Sequence, residues 1–153
     1  YRNQCLILSL IPTSGTDFLF ILYNVIMNSL SSDTFGANPT NIKWTVVRGD
    51  TATLRIEFWD DTETALQNVS TWTFKSSAYD PQDGAYDLLT TTAGSGYVDI
   101  TAPATLTRTW GTGNKSVVAE LSFDLQVTIG TTIWTPILGS IVVLADVSLN
   151  PAP

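Results

Sequence analysis

Val117–Ser148 reads VVAELSFDLQVTIGTTIWTPILGSIVVLADVS, and this stretch decides the fold class. Ala119, Leu121, Phe123, Leu125, Val127 and Ile129 alternate with Glu120, Ser122, Asp124, Gln126 and Thr128. Strict period-two alternation is the mark of a strand with one face buried, because successive side chains leave a strand on opposite sides. Gly130 breaks the run, and a second apolar-rich run follows from Ile133 to Val147. Two such runs around a glycine predict a long hairpin. Gly139 interrupts the second arm, where an isolated strand glycine is expected to mark a bulge or a bend.

Upstream the same grammar recurs in shorter pieces. Ile42, Trp44 and Val46 alternate with Lys43 and Thr45. Arg48-Gly49-Asp50 supplies a turn. Leu54, Ile56 and Phe58 then share one face, with Arg55, Glu57 and Trp59 on the other. A strand over Val69–Ser76 puts Trp72 and Phe74 together. Tyr79–Asp87 (YDPQDGAYD) reads as a loop, followed by a weaker strand over Ala85–Thr91. A glycine-rich turn leads to Tyr97–Thr101. Ala102–Lys115 lacks alternation, and Pro103 with the following residues predicts one helical turn crossing between sheets. The spacing of turn signals predicts an all-β, two-layer antiparallel β-sandwich of about eight short strands, spanning residues 42–149.

Residues 1–41 differ. Two apolar runs, Cys5–Ile11 and Phe18–Met27, flank Pro12, Gly15 and Asp17. Neither approaches the roughly 20 apolar residues of a membrane span. The segment is read as a partly apolar N-terminal arm or leader: an arm that docks on neighbouring subunits, a translated upstream stretch before Met27, or a processed leader or membrane anchor. Phe18 and Phe20 are its candidate contact residues.

Composition excludes several functions. The 153 residues carry 7 basic and 14 acidic side chains, a net charge of −7, with no basic cluster, which argues against a nucleic-acid partner. With no histidine, the Ser-His-Asp and Cys-His mechanisms are absent, and one cysteine leaves no disulfide within the chain. Asp60, Asp61 and Glu63 form one acid group and Asp80, Asp83 and Asp87 another; neither has the spacing of a calcium loop, and both read as solvated turns. No catalytic residue, cofactor site or metal site is expected. Charged residues are 14% of the chain, below the usual quarter, which points to surface covered by something else. Trp59 falls on the outward face of its strand, Trp110 lies in the irregular crossover, and Trp134 is out of phase with Ile133 and Ile137. These three are the candidate interface anchors of the domain.

The order VVRGDTATLRIEFWDD, VSTWTFKSSA, GYVDITAPATLT and then VAELSFDLQVTIGTTIWTPILGSIVVLADVS resembles small virion proteins of tailed bacteriophages. It is similar to the immunoglobulin-like N-terminal domain of phage baseplate upper proteins. The positions that carry the likeness are Gly49-Asp50-Thr51, Pro103-Ala104, Phe123 to Thr128, Gly139, Ile141, Val143 and Asp146-Val147-Ser148. The resemblance covers about Ile42–Leu149, and the apolar first 27 residues have no counterpart in it. It implies an immunoglobulin-like domain that is a non-enzymatic structural subunit of a virion, in tail, collar, baseplate or capsid decoration. Its partners would be copies of itself, as a homo-oligomer, and other virion proteins, with no nucleic acid and no membrane. The rival reading is a carbohydrate-binding or adhesin β-sandwich using Trp59, Trp110 and Tyr97 as sugar platforms.

Overall fold

The computed structural model describes residues 6–10 as backbone, and 39–59, 64–111 and 118–145 in full apart from the Val118 side chain. Its strands are β1 (Leu6–Leu10), β2 (Thr40–Val47), β3 (Ala52–Phe58), β4 (Trp72–Asp80), β5 (Ala85–Ala93), β6 (Tyr97–Ala102), β7 (Val118–Ile129) and β8 (Thr132–Leu144). One helical turn, α1 (Ala104–Thr107), follows β6. The chain is all-β, as the alternation requires. The helical turn predicted after Pro103 is present, and Phe18, Phe20 and the acid group Asp60, Asp61 and Glu63 lie outside the described residues.

The strands form one hydrogen-bonded order, β1-β3-β6-β5-β4-β7-β8-β2. Two details correct the expected antiparallel sandwich. First, β2 runs parallel to β8, with Ile42 opposite Gly139 and Trp44 opposite Ile141, so the sheet is mixed. Second, the ladder is continuous through β5. Ala85 to Leu89 pair with β4, whereas Thr90 to Ala93 pair with β6. Where β5 leaves β4, the Thr91 hydroxyl donates to the Phe74 carbonyl, so a side chain serves a carbonyl beyond the end of that ladder. The sheet bends here and β3 comes to face β4: the Phe58 ring lies 5.3 Å from Trp72 and 5.6 Å from Phe74.

The core sits inside this bend. Leu121, Phe123, Leu125 and Val127 of β7 are buried, as the alternation demands, together with Leu54, Ile56 and Phe58 of β3 and Ile42, Trp44 and Val46 of β2. Each fully buried aliphatic or phenyl side chain contributes roughly 1.5–3 kcal/mol. The opposite row of β7 is exposed at Glu120 and Ser122 and half-buried from Asp124 to Thr128 at the even positions. At the β7–β8 turn Gly130 has a φ of 60°, a left-handed conformation that costs glycine little.

Three readings along the chain change. The stretch Tyr79–Asp87 is not a loop but a tight hairpin, with Tyr79 and Asp80 ending β4 and Ala85 opening β5. The irregularity of β8 is not at Gly139. It lies where Leu125 faces Ile137 but Val127 faces Trp134, so Thr135 and Pro136 together oppose Gln126. Proline has no N–H to give a ladder, and a bulge is where a strand tolerates it. Gly139 has a different role: a β-carbon there would stand 2.2 Å from the Ile42 carbonyl oxygen and 2.6 Å from the Phe123 ring. Glycine is what allows β2 to lie against β8.

Candidate functional site

The crossover from β6 to β7 is pinned on both sides, and this settles where Trp110 lies. The Arg48 guanidinium donates to the Gly111 carbonyl at 2.8 Å. Thr107 Oγ1 accepts from the Gly49 N–H and donates to the Asp50 carbonyl at 2.8 Å. The Ala104 N–H donates to Thr51 Oγ1. On the other side, the Trp110 indole N–H donates to Asp87 Oδ2 at 2.7 Å, and the Gly111 N–H donates to Asp80 Oδ2 at 3.2 Å. Trp110 is 1% exposed. It is therefore not an outward anchor, and its expected interface role is corrected: it plugs its own chain where strands from both parts of the sheet meet.

The same contacts reassign Asp80 of the second acid group and show what holds the turn at Arg48-Gly49-Asp50. Asp80 is buried and accepts from the Gln82 and Gly111 N–H groups, so it is a buried acceptor rather than a solvated turn residue. Asp83 accepts from the Ala85 N–H within the hairpin. Arg48 and Asp50 are engaged by the crossover through the side chain of one and the carbonyl of the other. Among the described residues no group of His, Cys, Asp and Glu is arranged to hold a metal ion.

Trp134 is half-buried and packs against the core cluster. The bulge at Thr135–Pro136 resets the phase of β8. Trp134 and Ile137 then both turn inward, and Ile133 turns outward at 63% exposure. Trp59 is half-buried beyond the end of β3, bridged to Leu66, and its indole nitrogen is buried without a hydrogen-bond partner among the described residues. Tyr97 is covered. The Arg55 guanidinium stacks 3.9 Å above its ring, and Gly94 packs against the ring from within its own turn. Arg55 also forms a two-pronged ion pair with Asp99, at 2.7 and 2.8 Å, and this bonding holds its pKa above the ordinary arginine value. Trp59, Trp110 and Tyr97 thus make no open aromatic row, which is what the sugar-platform reading requires.

The outward apolar side chains are instead ones that the sequence reading passed over. Tyr86 is 78% exposed and Leu88 67% exposed, both on the outer side of β5. The Tyr86 ring lies 4.7 Å from that of Tyr79 at an interplanar angle of 38°. Register places Tyr86, Tyr79, Ser122, Ser140 and Lys43 in one row across β5, β4, β7, β8 and β2. Leu88, Ser77, Asp124, Leu138 and Asn41 form the neighbouring row. Leu138 and Leu144 are also exposed on this side. Tyr86 and Leu88 alternate with Asp87 and Leu89 within the strand expected over Ala85–Thr91, but the sequence does not say which of its two faces turns outward. The ends of the strand order supply the second kind of surface: β1 closes one edge on β3, and β2 forms the other.

No family model matches the chain, and no curated protein matches it. Among solved structures it is similar to a DUF4785 family protein of Legionella pneumophila, with a TM-score of 0.41 and 17% identity over 67% of this chain. The match spans 26% of that protein's length. It is also similar to PcoC, a methionine-rich copper resistance protein from Escherichia coli, with a TM-score of 0.32 and 10% identity. That match covers 67% of this chain and 88% of PcoC.

Proposed function

We propose that this chain is a non-enzymatic structural subunit of a bacteriophage virion, in tail, collar, baseplate or capsid decoration, and that it works by assembling with copies of itself and other virion proteins. In this reading the bent sheet is a two-layer immunoglobulin-like sandwich, with β5 carrying the chain from one layer to the other. The observation that carries the assembly role is the outer side of β5, β4, β7 and β8. Tyr86, Leu88, Leu138 and Ile133 are exposed there, on a protein in which only 14% of residues are charged. Exposed apolar side chains rimmed by serine, asparagine and lysine fit a surface that meets another protein. The sequence resemblance over residues 42–149 supplies the virion context. Size-exclusion chromatography with light scattering, followed by negative-stain imaging, tests it. Symmetric oligomers that grow with concentration are expected, with no glycan binding. A monomer at every concentration reached refutes it.

A further inference from the structure

β1 and β2 are consecutive in sequence but stand at opposite ends of the strand order. The register fixes where the two ends of their connection lie. Leu10 lies opposite Leu54, near the start of β3, and β3 follows β2 after the short turn at residues 48–51. Thr40 is at the far end of β2, so the return from Leu10 must cover about the length of that strand. Eight residues of strand span roughly 26 Å at ~3.3 Å per residue. The connection available has 29 residues, which can extend to about 95 Å. Connections within a domain are commonly about 4–6 residues. Fully extended, the tether is thus over three times the length of β2.

The edge that receives β1 is a fixed template. On its other side β3 is paired with β6 from Ala52 to Glu57, and the Arg55–Asp99 ion pair bridges those two strands on the outer face. β1 adds to β3 through an antiparallel backbone ladder from Leu6↔Phe58 to Leu10↔Leu54. Main-chain pairing of this kind is the same whichever copy supplies the strand. Exchange of an identical element between copies keeps every contact and joins subunits at little cost.

We infer that the β3 edge is a strand-acceptor site for residues 6–10 of a second copy of this chain, so that each subunit's arm completes its neighbour's sheet. This rests on the assembly reading above and names the joint. Head-to-tail donation of this kind closes a ring or extends a filament, according to the rotation between copies.

Cysteine pairing across the register tests it. Ile7 stands opposite Glu57, and directly opposed residues of antiparallel strands have Cα separations of about 4.5–5.5 Å, within disulfide range. In a full-length Cys5→Ser background, chains carrying only Ile7→Cys are mixed with chains carrying only Glu57→Cys, then oxidised. A covalent dimer on a non-reducing gel is expected, with none when Glu120→Cys replaces Glu57→Cys. If the protein assembles but the two mixtures give equal dimer, the arm exchange is overturned and the assembly reading stands. If the protein is monomeric throughout, both fall. The full-length Ser9→Pro variant gives a second readout: Phe58 spends its N–H on Gly96 beside β6, so the alternate residue Arg55 faces β1, and proline at its partner Ser9 removes a donor from that ladder. Loss of assembly with an unchanged circular dichroism spectrum is expected. Assembly at the wild-type concentration overturns the inference.

Discussion

Replacing Gly139 by alanine should weaken the protein through one specific clash. The added β-carbon would stand 2.2 Å from the Ile42 carbonyl oxygen and 2.6 Å from Phe123 Cε1. Ordinary carbon–oxygen contacts lie at about 3.3–3.6 Å. The ring can turn, but the carbonyl belongs to β2, which is held in parallel register from Thr40 to Val47. Relief means moving β2 off β8 by about 1 Å, and Ile42, Trp44 and Val46 are buried along that strand. Overpacking of this kind costs about 1–3 kcal/mol, and a backbone obstacle places it at the upper end. Alanine returns about 0.4–1 kcal/mol by restricting the unfolded chain. The net loss is about 2 kcal/mol. At an m value of ~2 kcal/mol/M this lowers the urea midpoint by about 1 M, and the melting temperature by roughly 4–8 °C. Tryptophan fluorescence follows the transition, because Trp44 packs edge-on against Phe123 with ring centroids 6.0 Å apart. Gly130→Ala is the comparison: its β-carbon meets nothing within 4 Å, and only the φ of 60° opposes it, at about 1 kcal/mol. Adding Phe123→Leu to Gly139→Ala should recover little, because the ring is the lesser obstacle. A Gly139→Ala protein within 0.5 kcal/mol of wild type would refute the close approach of β2 to β8.

Other outcomes follow from single contacts. Thr107→Val keeps the shape but strands the Gly49 N–H and the Asp50 carbonyl, and a loss of about 1–3 kcal/mol in urea unfolding is expected. Asp87→Ala leaves the buried Trp110 indole N–H without its acceptor and should cost about the same, while Trp110→Phe in that background should recover part of it, measured as a double-mutant cycle. The Arg55–Asp99 pair, with side chains 24% and 21% exposed, should couple by only about 0.2–1 kcal/mol in a cycle with Arg55→Met and Asp99→Asn. The arginine's pKa is raised on folding, so its contribution is complete below its ordinary value and is lost only as pH rises through the higher folded one. The Arg55 contribution should therefore not vary between pH 5 and pH 9. Tyr86→Ser with Leu88→Ser removes exposed side chains and should leave stability within about 0.5 kcal/mol while weakening self-association about tenfold or more by light scattering.

What could be read in advance was whatever depends on local alternation. The inward row of β7, the turn at Gly130, the all-β class and the helical turn after Pro103 are decided by neighbours in sequence, and all are legible there. The parallel pairing of β2 with β8 is not, because period-two alternation carries no strand direction. The bulge at Thr135–Pro136 defeated the phase argument for Trp134: one extra residue swaps the two faces, so Ile133 rather than Trp134 turns outward. Pro136 was the available clue, since a proline within a strand marks an irregular position. Trp110 and Asp80 were misplaced for another reason. Their burial comes from tertiary hydrogen bonds across separations of 23 and 31 residues, which no local pattern encodes.

The two ends of the sheet are bound in different ways, and this divides the chain's labour. β2 contributes Ile42, Trp44 and Val46 to the core, lies in eight-residue parallel register on β8, and continues into a turn locked to the crossover by Arg48, Gly49 and Asp50. Removing it opens the interior. β1 is joined through a five-residue ladder to one strand, and that strand is already fixed by β6 and by the Arg55–Asp99 pair. A strand added at the edge of a finished template can be supplied by any identical chain within reach of its tether. β2 is joined to β3 by only the turn at residues 48–51 and cannot be lent in this way. The place to look for subunit exchange is therefore the β3 edge, and the place to look for loss of the fold is the contact of β2 with Gly139.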